Sequence, residues 1–429
     1  MAAGGHQSLL LRNDGALVAF GSCCDGQGQV LEPTQGSRYV AAAAGLDHAV
    51  CVQDDGSVLV LGGDASVRKV PRLPQGVCCL SVAAGAFHTV LLLSEQQAVA
   101  FGQNNQGQCR VPAPPKDLHY IQAAGGMGHT VLVRSDGHAV AFGDRTYGQC
   151  NVPRLPEGVK YISATAGMYR TILLRDDGRA IAVGDNGYGQ CNVPEPAEGT
   201  RYTRAAAGAL HSVLLRDDGQ VVAFGCNRLG QCRVPRLSEK ARYVSVAAGA
   251  LHTVLLRSDG QVVAFGSNRD GRCEVPRLPA GVRYIEAWAG SHHTLLLRSD
   301  GKALAFGDNS DGQCRVPDLP DDLRYVPMAT APSEDLVVTL FLQRLGIGQL
   351  EVKCVGMSGH ELAVMIVDPA LRFLRGVRVP LAQQLKVPLQ RLKLVLPSGQ
   401  LLTEAEDRRT AFEILRVVTL AAQDCCEKK

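Results

Sequence analysis

The stretch Ala247-Ala248-Gly249-Ala250-Leu251-His252-Thr253-Val254-Leu255-Leu256-Arg257-Ser258-Asp259-Gly260-Gln261-Val262-Val263-Ala264-Phe265-Gly266 decides the fold. Residues 252–257 form an apolar run rich in strand formers, and residues 262–265 form a second run. Asp259-Gly260 lies between the two runs, where Gly supplies the positive φ that a tight turn needs. The stretch therefore predicts a β-hairpin.

The same hairpin recurs along about three quarters of the chain, with a spacing of 40 or 41 residues. The first glycine of each copy, numbered 1 to 8 in chain order, is Gly4, Gly45, Gly85, Gly126, Gly167, Gly208, Gly249 and Gly290. Each period holds four candidate strands, which is the content of one propeller blade. We therefore predict an all-β fold over residues 1–340, a closed β-propeller of seven or eight four-stranded blades, with eight favoured by the repeat count.

The two ends of the repeat region complement each other. The chain begins inside a period, and it leaves the array on residues 325–330, which correspond to the stretch that the first period lacks. This offset predicts that strands from both ends share one blade, because ring closure removes exposed sheet edges. Residues 336–340 resemble a decayed further copy, and seven blades with a redundant terminal copy is the alternative.

The pattern changes after a predicted linker at residues 341–348. Residues 349–422 show the order β-β-α-β-β, which is typical of a small α+β domain. The helix of this order is predicted within residues 370–385 and the last strand at residues 415–420. The tail, residues 423–429, is predicted to be disordered.

Composition places the chain in the globular class, with 46% apolar and 20% charged residues. Residues 1–347 carry 32 basic and 32 acidic side chains, so the repeat region lacks the positive charge of a general nucleic-acid binder. We see no signal-peptide pattern at the start and no apolar run of membrane-spanning length. We therefore expect an intracellular protein, cytoplasmic or nuclear, that binds no membrane and no specific nucleic acid.

Two repeat positions carry residues that could support chemistry. Six of the 15 cysteines share one position: Cys109, Cys150, Cys191, Cys232, Cys273 and Cys314. Equivalent positions lie about one blade apart, which is too far for a disulfide or a shared metal, so we predict reduced, mostly buried thiols and no metal site. The second position holds His48, His88, His129, His211, His252 and His293, with Gln7 in copy 1 and Arg170 in copy 5.

A position that recurs in every copy favours a structural role over metal or proton chemistry. For the histidines we predict a local hydrogen bond, for example to the adjoining Gly turn, because buried polar groups are normally satisfied nearby. The repeated Asp-Gly pairs are turn residues. No residue set indicates catalysis, so we expect neither enzymatic activity nor a cofactor.

The period resembles the repeat of the regulator-of-chromosome-condensation family. The matching residues in copy 7 are Gly249, His252, Thr253, Asp259, Gly260, Gly266, Asn268 and Gly271. The resemblance covers residues 1–340 and implies a propeller, which has seven blades in typical members. Similar propellers occur in HERC-type ubiquitin ligases, whose catalytic HECT domain has no counterpart here. The founding member of the family is a guanine-nucleotide exchange factor for a Ran-like small GTPase.

Residues 349–422 resemble a divergent ubiquitin-like domain. The supporting residues are Leu350-Glu351-Val352-Lys353, Ser358-Gly359 and Leu392-Lys393-Leu394-Val395. The resemblance places Met357 and Val395 where ubiquitin carries its apolar recognition patch. The alternative is that both side chains pack in the core of the domain, since single exposed apolar residues are common.

The loops that follow the hairpins vary where the rest of the repeat does not. Arg145, Tyr147, Tyr188, Arg228 and Arg269 lie in these loops on one rim, and they are residue types that interfaces favour. We predict that they bind a partner, with solvated loop tips as the alternative.

Together these features predict a monomeric, non-enzymatic scaffold or adaptor. Its propeller rim would bind a protein partner, and its ubiquitin-like domain would link that partner to ubiquitin-pathway components. The alternative is an exchange factor for a Ran-like GTPase.

Overall fold

The computed structural model describes residues 1–24, 28–73, 77, 79–94, 97–237, 241–327, 336–346, 349–356, 361–367 and 392–395. The chain divides into two compact units, Met1–Met328 and Ala329–Lys429. The described residues contain β-strands, two short 3-10 turns at Ser22–Cys24 and Arg269–Gly271, and no α-helix. Within these ranges no helix is long and apolar enough to cross a membrane.

In the described part of the first unit, each of the eight copies contributes an inner, a middle and an outer strand to one antiparallel sheet. The inner strands are Ala2–Ala3, Tyr39–Ala44, Cys79–Ala84, Tyr120–Gly125, Tyr161–Ala166, Tyr202–Ala207, Tyr243–Ala248 and Tyr284–Ala289. The middle strands are Gln7–Arg12, His48–Gln53, His88–Leu93, His129–Arg134, Arg170–Arg175, His211–Arg216, His252–Arg257 and His293–Arg298. The outer strands are Leu17–Gly21, Val58–Gly62, Ala98–Gly102, Ala139–Gly143, Ala180–Gly184, Val221–Gly225, Val262–Gly266 and Ala303–Gly307.

The hairpin predicted from residues 247–266 is present. His252 pairs with Gly266 and Leu256 pairs with Val262, so the middle and outer strands are in register around the turn. Gly260 lies in that turn with φ of 79°, in the left-handed region that glycine reaches without steric cost. The turn chemistry therefore fixes the register of the hairpin.

The core lies between neighbouring sheets. In copy 7, Val254 and Leu256 pack in a cluster with Leu296 of copy 8, while Leu255 packs with Val213 of copy 6. Successive side chains of a strand point to opposite faces, so a middle strand that is apolar throughout serves two interfaces at once. This arrangement explains why the middle strands read as continuous apolar runs.

One of the four strands predicted for each blade, the short strand that includes Arg233-Val234-Pro235 in copy 6, is wrong for seven of the eight sheets, which have three strands each within the described residues. In copy 6 the N–H of Cys232 donates to Asn227 Oδ1 (3.0 Å) and the N–H of Arg233 donates to the Gly230 carbonyl (2.9 Å). The N–H of Val234 donates to the Cys232 carbonyl (3.0 Å), and Pro235 has no N–H. The segment has therefore used its donors locally and has none left to pair with the outer strand.

The sheet of copy 1 is the exception, because it has five strands. Gln29–Leu31 pairs with the outer strand Leu17–Gly21. Two short strands share the other edge of Gln7–Arg12: Ala2–Ala3 pairs with its first half, and Tyr325–Val326 pairs with its second half. The start and the end of the repeat region thus contribute to one sheet.

The second unit contains a four-stranded sheet. Its strands are Leu336–Gly346, Gln349–Gly356, Glu361–Val367 and Leu392–Val395. Leu336–Gly346 pairs antiparallel with Gln349–Gly356 and parallel with Leu392–Val395. Glu361–Val367 pairs antiparallel with the other edge of Gln349–Gly356.

This sheet moves the domain boundary that the sequence predicted. Residues 336–340 were expected in the propeller and residues 341–348 in a linker, whereas Leu336–Gly346 is one strand of the second unit. The apolar run from Leu336 continues through Leu342, so it forms one strand whose partner follows directly at Gln349. Met357, the predicted helix at residues 370–385, the strand at residues 415–420 and the tail at residues 423–429 lie outside the described residues, and the ubiquitin-like assignment stays a prediction.

Candidate protein-interaction surface

One edge of the sheets in the first unit carries two sets of loops, which we call the loop face. One set connects the inner and middle strands, and the other follows the outer strands. The N–H of Asp185, after an outer strand, donates to the carbonyl of Tyr169 (2.9 Å), before a middle strand, so the two sets lie side by side. The Asp-Gly hairpin turns lie at the opposite edge, the turn face.

A buried glutamine holds the loop after the outer strand in the same way in copies 3 to 6 and 8. In copies 4, 5 and 6 its Oε1 accepts the N–H of Tyr147 (2.9 Å), Tyr188 (2.8 Å) and Leu229 (3.0 Å). The three glutamines are Gln149, Gln190 and Gln231, each fully buried. The loop tips are therefore preorganised, which lowers the entropic cost of binding through them.

The five predicted partner-binding residues are all exposed on this face. The structure brings the Arg228 guanidinium over the ring of Tyr188, with Cζ 5.5 Å from the ring centroid. The ring of Tyr147 contacts that of Tyr169, with centroids 5.1 Å apart and the ring planes tilted by 51°; the sequence had not singled out Tyr169. Arg269 joins neither contact, and its carbonyl accepts a bond from Arg272 Nε (2.8 Å).

Met168, Tyr169 and Leu229 extend the surface formed by Tyr147 and Tyr188. Tyr147, Met168, Tyr188 and Leu229 have exposed fractions of 51%, 39%, 44% and 50%, and Tyr169 adjoins them half-buried. We call these five residues of copies 4 to 6 the apolar sector. Met168 and Tyr169 would have been found by comparing the two residues after the first glycine of each copy, which are Ala-Leu in copies 6 and 7.

Charge differs between the two sides of the loop face. The loop position that holds Tyr147, Tyr188 and Leu229 in the apolar sector is Asp270 in copy 7 and Asp311 in copy 8. Asp311 lies 3.1 Å from His6 Nδ1 of copy 1. We call Asp270, Asp308 and Asp311 the acidic sector. A partner therefore meets an apolar surface on copies 4 to 6 and carboxylates on copies 7 and 8.

Ion pairing distinguishes a set of arginines on the turn face from the predicted partner-binding arginines on the loop face. On the turn face an arginine pairs with the aspartate two residues later: Arg12–Asp14, Arg134–Asp136, Arg175–Asp177, Arg216–Asp218, Arg257–Asp259 and Arg298–Asp300. The Arg134 guanidinium lowers the pKa of Asp136 to about 2. On the loop face, Arg145, Arg228 and Arg269 form no ion pair with the described residues.

The repeated histidines have a structural role, but their partner differs from the predicted Gly turn. His211 Nε2 lies 2.9 Å from Thr253 Oγ1 of the next copy, and Thr253 Oγ1 donates to the Gln231 carbonyl (2.8 Å). Because the hydroxyl proton of Thr253 is used in this bond, His211 Nε2 is the donor to Thr253 Oγ1. The lowered pKa of the imidazole keeps it neutral at neutral pH. Burial lowers the pKa of His211 and His252 to about 3 and that of His88, His129 and His293 to about 4.

The six repeated cysteines are free thiols that are half-buried rather than buried. Each Sγ donates to a main-chain carbonyl six residues earlier, at 3.1–3.4 Å. Burial raises the pKa of these thiols to about 11, and to about 12 for Cys314. Such thiols are protonated at neutral pH and are poor nucleophiles. Among the described residues, no three His, Cys, Asp or Glu side chains come together as metal ligands.

A cavity of about 260 Å³ lies where the inner strands end, lined by residues of all eight copies. A Cβ on Gly249 would lie 2.2 Å from His252 Cε1 and 2.5 Å from the Gly290 carbonyl, so only glycine fits there. No charged side chain lines the cavity. It therefore offers packing space and no anchor for a charged ligand.

The regulator of chromosome condensation (RCC1) repeat matches residues 80–108, 203–231, 243–272 and 289–313. A protein of Drosophila melanogaster named regulator of chromosome condensation is 28% identical over 133 residues, which are 25% of this chain and 24% of that protein. The chain therefore spans about a quarter of the length of the curated relative that it matches.

The comparison with solved structures gives a match with a TM-score above 0.5 and several below it. The crystal structure of human WBSCR16 superposes with a TM-score of 0.51 at 19% identity, covering 63% of this chain and 88% of that chain. Prp20p of Saccharomyces cerevisiae superposes with a TM-score of 0.47 at 19% identity, covering 58% of this chain and 77% of that chain. The first unit has a β-propeller fold, and four segments of it match the RCC1 repeat.

Proposed function

We propose that this protein is a non-enzymatic scaffold that binds a protein partner through the apolar sector of its loop face. The observation that carries the proposal is the run of Tyr147, Tyr188 and Leu229 at one loop position in three consecutive copies, each held by a buried glutamine. Exposed aromatic residues on rigid loops are typical of interfaces, because they bury a large area at a low entropic cost.

A closed ring of eight blades underlies this proposal. Two facts support it: strands from both ends share the sheet of copy 1, and Ser8 of copy 1 bonds to His293 of copy 8 at 2.9 Å. The bond between Ser8 and His293 joins copy 8 to copy 1 in the same way that the bond between His211 and Thr253 joins copy 6 to copy 7. In a closed ring every loop keeps a fixed position relative to the others, so the apolar sector is a rigid surface.

Affinity capture with the intact chain tests the scaffold function. We expect a protein that is retained by the wild type and reduced at least about tenfold by Tyr147→Ala/Tyr188→Ala, since two aromatic anchors are removed. The matched control is Gln106→Ala/Asp311→Ala, which changes the same loop position in copies 3 and 8. Equal retention of every protein by both variants would refute the proposal.

The alternative is exchange-factor activity on a small GTPase of the Ran type. The RCC1-type repeats favour it, because the founding member of the resembling family has that activity. Release of labelled GDP from a panel of GTPases tests it. Acceleration by the wild type that Tyr147→Ala/Tyr188→Ala leaves intact would place exchange on another part of the propeller and would contradict our assignment of the site.

The second unit is proposed as a further interaction module that links the bound partner to the ubiquitin pathway. The support is the sequence resemblance of residues 349–422 to ubiquitin-like domains. Comparative capture with the intact chain and with residues 1–328 tests this link, because proteasome or ubiquitin-ligase components should be lost with the second unit. The free thiols support an intracellular location, where cysteines stay reduced.

A further inference from the structure

Arg145 and Arg228 lie beside the apolar sector without an ion-pair partner among the described residues. Arg228 lies over the face of Tyr188, and its Cζ is 5.5 Å from the ring centroid, so the side chain is held at the surface beside an apolar contact area. Arg145 is exposed two residues before Tyr147. Neither forms an ion pair with the described residues. Each arginine thus stands next to an exposed tyrosine with its hydrogen-bond donors available.

Arg145 also replaces the residue that the loop needs. In copies 5 and 6 the corresponding Asn186 and Asn227 accept the N–H of Cys191 (2.9 Å) and Cys232 (3.0 Å) through Oδ1. An arginine has no acceptor, so copy 4 gives up this bond. Copies 3 and 5 to 8 have asparagine at this position, so the arginine of copy 4 departs from the pattern of its neighbours, and such departures are expected at functional sites.

The carboxylates of the same loops are occupied from within. Asp185 accepts the N–H of Gly187 (3.1 Å) and the amide Nε2 of Gln190 (2.7 Å). Asp144 accepts the N–H of Thr146 (3.0 Å). These carboxylate oxygens already accept hydrogen bonds within their own loops, whereas the guanidinium groups of Arg145 and Arg228 form no ion pair with the described residues and keep donors free for a partner.

We infer that the apolar sector binds an acidic segment of a protein partner, in which Asp or Glu side chains meet Arg145 and Arg228 while a neighbouring Leu, Phe or Trp side chain packs on Tyr147, Tyr188 and Leu229. This inference rests on the proposed scaffold function and specifies its partner. Charge complementarity sets the choice, because carboxylates form bidentate bonds with guanidinium groups.

The acidic sector supplies the orientation. Asp308 and Asp311 lie on the same face in copy 8 and repel an acidic segment that is shifted along the array toward that copy, whereas Asp270 of copy 7 is paired with Arg272 (2.7 Å). Single-stranded RNA also stacks on tyrosine and pairs with arginine. A polyanionic backbone would extend over these carboxylates, and the repeat region has no net positive charge to attract it. An acidic peptide is therefore favoured over RNA.

Selection of random 12-residue peptides, displayed on phage, against the intact chain tests the inference. We expect enriched peptides to contain Asp or Glu beside Leu, Phe or Trp. The most enriched peptide is then labelled, and its Kd is measured by fluorescence polarisation. Arg145→Glu/Arg228→Glu should weaken binding at least about tenfold. The matched control, Arg201→Glu/Arg242→Glu, changes the net charge equally on the turn face and should bind like the wild type.

A charge swap makes the test decisive. The same peptide with its acidic residues changed to Lys should bind Arg145→Glu/Arg228→Glu more tightly than it binds the wild type. Enrichment of peptides without acidic residues, enrichment of none, or displacement of the peptide by a 12-nucleotide oligouridylate would each overturn the inference. If capture of the cellular partner depends on Tyr147 and Tyr188 but not on the arginines, the scaffold function stands and the acidic segment is refuted.

Discussion

At the scale of single residues, two exceptions to the repeat, Gln7 and Ala49, compensate for each other. Copy 2 has Ala49 where other copies have Thr or Ser, so it offers no hydroxyl to the preceding copy. That preceding copy has Gln7 in place of histidine, and Gln7 Nε2 donates to the carbonyls of Gly45 (3.1 Å) and His48 (2.7 Å) instead. The position is therefore conserved in function, as a hydrogen bond between copies, although the residue changes.

The buried histidines predict a steep loss of stability in acid. Their pKa is lowered from 6.5 to about 3–4 by burial, so between pH 6.5 and about 4 the unfolded chain takes up protons that the folded chain does not. The free energy of unfolding should fall by about 1.4 kcal/mol per pH unit for each such histidine and level off below the folded pKa. Urea unfolding between pH 7.5 and 5 measures this slope.

A matched pair of variants isolates one histidine. His252→Gln, which introduces the residue of copy 1, should reduce the slope by the contribution of one group. His119→Gln changes a histidine outside the repeated position and should keep the wild-type slope. An unchanged slope in His252→Gln would show that the buried imidazoles are not its source.

Thr253→Val should destabilise the protein by about 2–4 kcal/mol. The substitution keeps the shape of the side chain but removes the acceptor of His211 and the donor to the Gln231 carbonyl, both buried. Chemical denaturation measures the loss. Thr200→Val removes an exposed hydroxyl that donates to the Ala197 carbonyl, and should change stability by less than about 0.5 kcal/mol. Similar losses of stability in both variants would contradict a stabilising role for the hydrogen bonds that join each repeated histidine to the hydroxyl of the next copy.

Arg145→Asn should stabilise the fold while it weakens binding. Asparagine restores the acceptor for the N–H of Cys150, as in copies 3 and 5 to 8, and should add about 0.5–1.5 kcal/mol to the free energy of unfolding. The same change removes one of the two cations beside the apolar sector. Thermal unfolding and peptide binding measured on one preparation check both effects, and a variant that binds as tightly as the wild type would exclude Arg145 from the interface.

At the scale of elements, the loops after the outer strands combine a constant frame with a variable tip. In copy 6 the frame consists of the buried Gln231, which accepts the N–H of the tip residue Leu229, and of local bonds from the N–H groups that follow, which leave no donor for a further strand. The sequence predicted the variable tips correctly as exposed. It predicted a short strand after each tip wrongly, because Arg233-Val234-Pro235 has strand-forming residues and only the local hydrogen bonds reveal that their donors are already used.

Gln190→Ala should loosen the loop of copy 5. It removes the acceptor of the Tyr188 N–H and the donor to Asp185, so amide exchange within residues 185–192 should rise at least about tenfold, which corresponds to a loss of about 1.4 kcal/mol of local stability. Hydrogen–deuterium exchange measures this, and partner capture should weaken. Gln313→Ala removes the same restraint in copy 8 and should leave capture unchanged. Loss of capture in both variants would contradict a site confined to copies 4 to 6.

At the scale of the whole first unit, the pairing of both ends with one strand predicts that the ends stabilise each other. Tyr325→Ala should cost about 3–5 kcal/mol, since Tyr325 is buried against Leu10, Phe20 and Leu295 and donates to the Pro317 carbonyl (2.9 Å). Amide protection of Gln7–Arg12 should fall in this variant. Tyr243→Ala makes the same change in an interior copy and should leave that strand protected. Full protection in Tyr325→Ala would contradict the closed ring.

The sequence by itself determined the repeat, its hairpins and the exposure of the variable loops, because these follow from local periodicity and turn chemistry within about twenty residues. It also located Arg145, Tyr147, Tyr188, Arg228 and Arg269 on one rim. The tertiary structure alone decided three contacts: the ring contact of Tyr147 with Tyr169, the contact of Arg228 with Tyr188, and the bond from His211 to Thr253. Those contacts join residues from different loops and different copies, and their distances depend on how neighbouring sheets pack, which no single period of the sequence encodes.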